Sequence, residues 1–220
     1  ALGPVRALCR ACRLCGRAGG VNRLENEPGY CATDSRDAEQ VRYASATLHF
    51  GEEPPLVGRG GSGTVFFTHC NLRCVYCQNY QISQFGLGED AGYTTLAEDM
   101  LGLERAGAEN INLVTPTHYI YPNLLALREA YGRGLTRPLV YNTNGFDRVE
   151  LLALLDGIVD IYLPDMKYSD PACALTYSHA EQYPDVARAA VLEMYRQTGR
   201  LRGAGGVAAK GLIIRHLVLP

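Results

Sequence analysis

The stretch Cys70-Asn71-Leu72-Arg73-Cys74-Val75-Tyr76-Cys77 constrains this chain more than any other. Its three cysteines fall within eight residues, with three and then two residues between them. Thiolates on one short loop are soft ligands, suited to an iron–sulfur cluster or zinc and poorly suited to a hard cation. A four-iron cluster normally takes four thiolates, so three local ones leave one iron open to another ligand. An open position on a metal is where chemistry takes place.

The other cysteines reinforce that emphasis. Seven of the eight fall into two groups, Cys9, Cys12, Cys15 and Cys31, then Cys70, Cys74 and Cys77, while Cys173 stands alone early in an expected helix and reads as structural. The N-terminus lacks the apolar core of a signal peptide, and no apolar run has the length of a membrane span. Without a sign of export, clustered cysteines favour metal binding over a disulfide framework, and the expected location is the cytoplasm. The first group is expected to hold zinc or an auxiliary cluster, its alternative being a leader with reactive thiols. At 47% hydrophobic and 20% charged, the chain has the composition of a soluble globular protein. Its formal charge of −2 gives no general affinity for nucleic acid or anionic membrane. Arg6, Arg10, Arg13, Arg17 and Arg23 lack interleaved aromatics that would stack bases, so they read as a solvated basic face.

Residues 1–35 show no sustained period and read as a metal-held knuckle, and the run from Ala38 to Gly63 reads as irregular. The glycines before Thr64 do not form a phosphate loop, since no Gly-Lys-Ser/Thr follows. Thr64–Thr68 reads as a buried strand feeding the cysteine loop. Thr95 and Glu98 form a capping-box pattern for a helix stopped by Gly107. Strands at Ile111–Val114, Leu139–Tyr141 and Ile158–Leu163 alternate with helices from about Pro122 to Tyr131 and from an Asp147/Glu150 cap to Gly157. Two helices, about 171–180 and 184–198, precede an apolar strand at Leu212–Leu219.

Repeated strand–helix units with apolar strands indicate an α/β fold with a parallel sheet. Functional groups of such folds gather at the C-terminal strand ends. The polar groups here do the same. The cysteine loop follows the first strand, Thr115-Pro116-Thr117-His118 the second, Asn142-Thr143-Asn144-Gly145 the third and Asp165-Met166-Lys167 the fourth. Lys167 is one of only two lysines, against abundant arginine, which suggests a specific need for it. Asp165 reads equally well as a ligand or as a salt-bridged carboxylate. His118 and His216 could reach the same mouth. Arg215 and His216 alternate on their strand, so both face inward only where the strand bulges or ends, and Arg215 is the favoured one.

A Cys-x3-Cys-x2-Cys loop after the first strand, with Tyr76 just before the third cysteine, resembles the signature of radical S-adenosylmethionine (radical SAM) enzymes. Asn142-Thr143-Asn144-Gly145-Phe146, Asp165-Met166-Lys167 and Ile214-Arg215-His216-Leu217-Val218-Leu219-Pro220 are similar to segments of the pyruvate formate-lyase-activating-enzyme-like group, in particular its uncharacterised branch. The resemblance implies a partial (βα) TIM-type barrel over residues 60–220, ending at its fifth strand, behind a Cys-rich extension over residues 1–59. It implies a [4Fe–4S] cluster on Cys70, Cys74 and Cys77 that reductively cleaves SAM to methionine and a 5′-deoxyadenosyl radical for hydrogen abstraction. By the same resemblance Tyr76, Asn142, Thr143, Asp165, Lys167 and Arg215 hold SAM. Implied partners are an electron donor such as flavodoxin or ferredoxin, and a glycyl-radical enzyme whose backbone glycine loses the hydrogen. The alternatives are a radical SAM enzyme acting on a small molecule and a non-catalytic iron–sulfur electron carrier. Two departures stand out: Thr115-Pro116-Thr117 replaces a Gly-Gly-Glu that many members use to grip the SAM amino group, and Asn142 replaces an acidic residue.

Overall fold

The computed structural model describes residues 1–25, 27–32 and 38–218. Along the chain run α1 (Leu2–Arg10), β1 (Gln40–His49), α2 (Pro54–Val57), β2 (Ser62–Phe67), α3 (Tyr80–Ser83), β3 (Glu89–Gly92), α4 (Tyr93–Arg105), β4 (Ile111–Val114) and α5 (Ile120–Gly132). They are followed by β5 (Leu139–Thr143), α6 (Val149–Ala153), β6 (Ile161–Pro164), α7 (Pro171–Ser178), α8 (Tyr183–Thr198), β7 (Arg202–Ala204) and β8 (Val207–Leu212). Among the described residues no helix is long and apolar enough to cross a membrane.

The strands form one sheet in the order β3-β1-β2-β4-β5-β6-β8-β7. β2, β4, β5, β6 and β8 are parallel neighbours, with antiparallel β1 and β3 beyond one edge and antiparallel β7 beyond the other. The parallel strands are apolar because both of their faces are covered. Val65, Phe67, Ile111, Leu113, Leu139 and Tyr141 turn one face to the main core, together with Leu96 and Met100 of α4. Val140, Ile161 and Leu163 turn the other face to Leu56 of α2 and Ala208 of β8. Parallel strands bring all their C-terminal ends to one side, so the loops after β2, β4, β5 and β6 meet there.

The α/β class and the parallel core agree with the sequence reading, and five local expectations do not. The run 1–35, read as a metal-held knuckle without a period, carries α1, whose Val5 and Cys9 pack into the main core. The run read as irregular contains β1, ten residues long. α4 begins two residues before Thr95: Gly92 ends β3 in an extended conformation and is itself the N-cap, without a side-chain cap. Asp147 does not cap α6, whose N-cap is Arg148; its carboxylate is fully buried elsewhere. The last strand lies at Val207–Leu212, ahead of the expected Leu212–Leu219, because the Gly205-Gly206 turn pairs it with β7. Its ladder continues as Ile213 N donates to Tyr162 O (2.9 Å) and Arg215 N to Pro164 O (2.9 Å). Leu219 and Pro220 lie outside the described residues. Gly107 does stop α4, in a left-handed conformation (φ +97°) that suits glycine.

Candidate metal centre and cofactor cavity

β2 leads into the cysteine loop through Thr68 and His69, the latter in the left-handed region (φ +64°). Leu72 anchors the loop, fully buried in a small core with Phe146, Tyr168, Ala174 and Tyr183. Val75 N donates to Tyr177 O (2.9 Å), which ties the loop to α7. Each sulfur has a hydroxyl or N–H group beside it. Cys70 Sγ accepts from Leu72 N (3.4 Å) and Asn144 Nδ2 (3.3 Å), and Cys74 Sγ from Ser178 Oγ (2.9 Å). Cys77 Sγ lies 3.2 Å from Ser83 Oγ. Burial pushes the Cys70 thiol up to about 12, against the opposing pull of the Leu72 N–H. Burial also raises Cys74, with Lys167 opposing. Cys70 and Cys74 thus favour their protonated forms until a metal displaces the protons, after which the donors around the sulfurs satisfy thiolate lone pairs and tune the metal.

All three thiols line one cavity of about 580 Å³, within the usual range for a small-molecule site. Tyr76, Asn142, Thr143, Asp165, Lys167 and Arg215 line the same cavity. Asp165 organises its floor: Lys167 Nζ reaches Oδ2 at 2.6 Å and Arg215 Nε reaches Oδ1 at 2.9 Å. Arg215 Nη2 also donates to Asn142 Oδ1 (2.7 Å). Burial alone would depress the Lys167 ammonium, but Asp165 and then Cys74 more than offset it, so its pKa rises and it stays charged. A run of hydroxyls leads from Tyr76 through Tyr168 (2.6 Å) and Ser178 (2.7 Å) to Cys74 Sγ.

Two sequence expectations about the mouth need correction. His118 does not reach the cavity: its Nε2 lies 2.7 Å from Thr68 O, and burial pushes its pKa down to about 3, so it is a neutral core imidazole. Arg215 and His216 both line the cavity: the parallel pairing runs on to a last bridge between Arg215 and Asp165, and His216 lies just past it, where alternation no longer turns it away. The segment after β4 is strained, since Thr115 is β-branched yet left-handed (φ +56°), with its N–H held by Asn142 O (2.8 Å).

Asp147 is the residue that sequence reasoning assigned elsewhere. Its buried carboxylate accepts from Thr117 Oγ1 (2.7 Å), Tyr141 OH (3.2 Å) and Thr143 Oγ1, binding the loop after β4 to the loop after β5. Burial raises its pKa in spite of these three donors. Asp147→Ala removes an acceptor shared by three buried hydroxyls, of which Tyr141 OH keeps Thr117 Oγ1 at 3.2 Å, and is expected to cost roughly 3 kcal/mol, whereas Asn retains an acceptor and should cost less. Denaturant midpoints of the two variants test this, and equal stability of Ala and wild type would refute it.

The N-terminal thiols Cys9, Cys12, Cys15 and Cys31 are all buried. Burial pushes Cys9 up to about 12 and Cys15 up to about 11. Arg23 Nη1 donates to Cys31 Sγ (3.0 Å) and its charge also acts on Cys12 and Cys9. Arg17 ties this segment to the cysteine loop. Its Nε donates to Asn71 O (3.0 Å), its Nη2 to Ser178 O (3.3 Å), and its guanidinium lies 3.7 Å from the centre of the Tyr30 ring. Among the described residues, no three Cys, His, Asp or Glu side chains converge as ligands of a single ion do. Three thiols with hydrogen-bond donors on one roomy cavity are nonetheless a donor set that fits an iron–sulfur cluster.

Residues 64–200 match the family model described as the radical SAM superfamily. An uncharacterised protein of Methanocaldococcus jannaschii is 31% identical over 218 residues, which is 95% of this chain and 57% of that relative. The chain therefore spans a little over half the length of the curated relative it matches.

Proposed function

This chain belongs to the radical SAM superfamily, and from that premise we propose that Cys70, Cys74 and Cys77 hold a [4Fe–4S] cluster beside a SAM molecule seated in the cavity. Held by Cys70, Cys74 and Cys77, such a cluster would supply the one-electron reduction that cleaves a C–S bond of SAM to methionine and a carbon radical able to take a hydrogen atom from the substrate. The chain's own groups bind and orient. Lys167 and Arg215 offer cationic donors to a carboxylate, Asp165 holds both in place, and Asn142 and Thr143 present polar groups from the end of β5. Tyr76 is fixed through its hydroxyl chain and walls the cavity beside Cys74 and Cys77. The observation that carries this reading is the convergence of three thiols and six polar or ionic side chains, from four separate segments, on one cavity.

Within the superfamily we favour the pyruvate formate-lyase-activating-enzyme-like group and a partial TIM-type barrel over residues 60–220, supported by the Asn142–Phe146 and Asp165–Lys167 segments at the mouth. In that reading the substrate is a backbone glycine of a glycyl-radical enzyme, and the electron comes from a flavodoxin or ferredoxin in the cytoplasm. The four buried thiols of residues 1–59, with Arg23 among them, support a second site for zinc or an auxiliary cluster.

Anaerobic reconstitution with iron and sulfide, followed by reduction and assay for 5′-deoxyadenosine, tests the central claim. Its formation in step with methionine is the expected result, and its absence from reduced, fully loaded protein would sink the enzyme reading. Glycyl-radical formation on a partner, seen by electron paramagnetic resonance, tests the narrower one. Metal analysis of a variant lacking Cys70, Cys74 and Cys77 tests the second site.

A further inference from the structure

We propose that Glu53 is the counter-charge for the sulfonium cation of SAM. This inference rests on the radical SAM reading of the cavity and adds a residue to it from outside the strand ends.

Glu53 lines the cavity, and its Oε2 is buried without a hydrogen-bond partner. The other ionic groups nearby are largely satisfied. Asp165 binds Lys167 and Arg215 directly, at 2.6 and 2.9 Å. Glu52 is held by His49 Nδ1 at 3.0 Å and stands 3.8 Å from Arg215 Nη1. Glu53 Oε1 lies 3.7 Å from Arg215 Nε, a distance at which Asp165 is the closer competitor. Three carboxylates, Glu52, Glu53 and Asp165, thus face two side-chain cations, Arg215 and Lys167, and the charge left over sits on the carboxylate with the orphaned oxygen. A buried anionic oxygen without a partner is costly, and a cation entering the cavity relieves that cost.

Glu53 is not occupied in capping its own helix. It is the N-cap of α2 but makes no side-chain cap, and Pro54 at the first helical position has no N–H to offer. Its position is nevertheless rigid. Leu56, fully buried, packs against Val140, Ile161 and Leu163, and its carbonyl accepts from Asn110 Nδ2 (2.7 Å). Asn110 is held in turn by Ser62 Oγ (2.7 Å). Glu53 thus reaches the cavity beside Arg215 from α2, a segment separate from the cysteine loop. A ligand seated in the cavity therefore meets both the thiols and this negative charge. SAM carries a positive sulfur that its demethylated product, S-adenosylhomocysteine, lacks.

That difference supplies the experiment. Binding of SAM and of S-adenosylhomocysteine is measured calorimetrically on anaerobic, cluster-loaded wild type and Glu53→Gln. A single charge acting across a partly solvated cavity predicts roughly tenfold weaker SAM binding in the variant. S-adenosylhomocysteine binding should change by less than about twofold, a split that a merely structural role would not produce. Glu53→Asp, which keeps the charge, should retain the preference for SAM. Equal weakening of both ligands, or no change in either, would overturn the assignment of Glu53 while leaving the cavity's role standing. Failure of loaded wild type to bind either ligand would instead overturn the SAM reading itself, and this assignment with it.

Discussion

Replacing any one of Cys70, Cys74 or Cys77 by alanine should leave the reconstituted protein with little iron or acid-labile sulfide and no measurable SAM cleavage. The expected loss far exceeds the roughly 10–100-fold that removal of an outer partner of a metal site costs, because a ligand itself is gone. These thiols are not interchangeable packing groups. Leu72 and Asn144 direct N–H groups at Cys70, Ser178 directs a hydroxyl at Cys74, and Ser83 lies beside Cys77. Removing one sulfur leaves both the metal and those donors without a partner. Cys173→Ala is the matched control: that thiol lies on α7, outside the cavity, and its loss should change neither iron content nor turnover. Retention of a full cluster in any of the three loop variants would show that the loop is not its seat.

Gly145→Ala should have the second largest effect, on stability and ligand binding together. Gly145 is left-handed (φ +80°), and a Cβ built there would stand 2.4 Å from the Asp165 carbonyl oxygen and 3.2 Å from Tyr183 OH. The backbone must shift, and the strain adds to the clash, for an expected cost of about 3 kcal/mol or more. In a domain of this size that lowers the unfolding temperature by roughly 6–12 °C. The displaced carbonyl belongs to Asp165, which positions Lys167 and Arg215, so SAM affinity should fall as well. Tyr183 OH reaches Asn144 O (2.8 Å) and Asp165 O (2.7 Å) and accepts from Lys167 N (3.1 Å). Tyr183→Phe removes that knot without moving the backbone and should therefore be the milder change. A Gly145→Ala protein as stable as wild type would show that the close approach of the two loops is not required.

The parts of the molecule legible in the sequence are those where one face or one spacing dominates. Ile111–Val114 is bounded as read because it is apolar and ends at a polar turn, and the cysteine loop announces itself by ligand chemistry. β1 escaped because its residues from Arg42 to Thr47 include Ser, Thr and Ala on partly exposed surface, with little apolar alternation to mark a strand. Asp147 was misplaced because a capping acid and a buried acid look alike without their neighbours, which here come from 30, 6 and 4 residues away. Glu53 had no local signal, since Glu-Pro-Pro reads as a breaker and only tertiary packing carries it to the cavity. β8, at Val207–Leu212, has Ala, Lys and Gly where strand formers would be expected, and its hairpin partner specifies it.

The Arg17 clamp bears on how this protein would meet air. By holding the N-terminal segment against the Asn71 and Ser178 carbonyls, it closes the back of the cysteine loop, where Asn71 and Leu72 are buried. Dioxygen then approaches the thiols most readily through the cavity, along the route a ligand takes. A molecule seated there doubles as a stopper, and bleaching of the reconstituted protein in air should slow when SAM is present and quicken in Arg17→Ala.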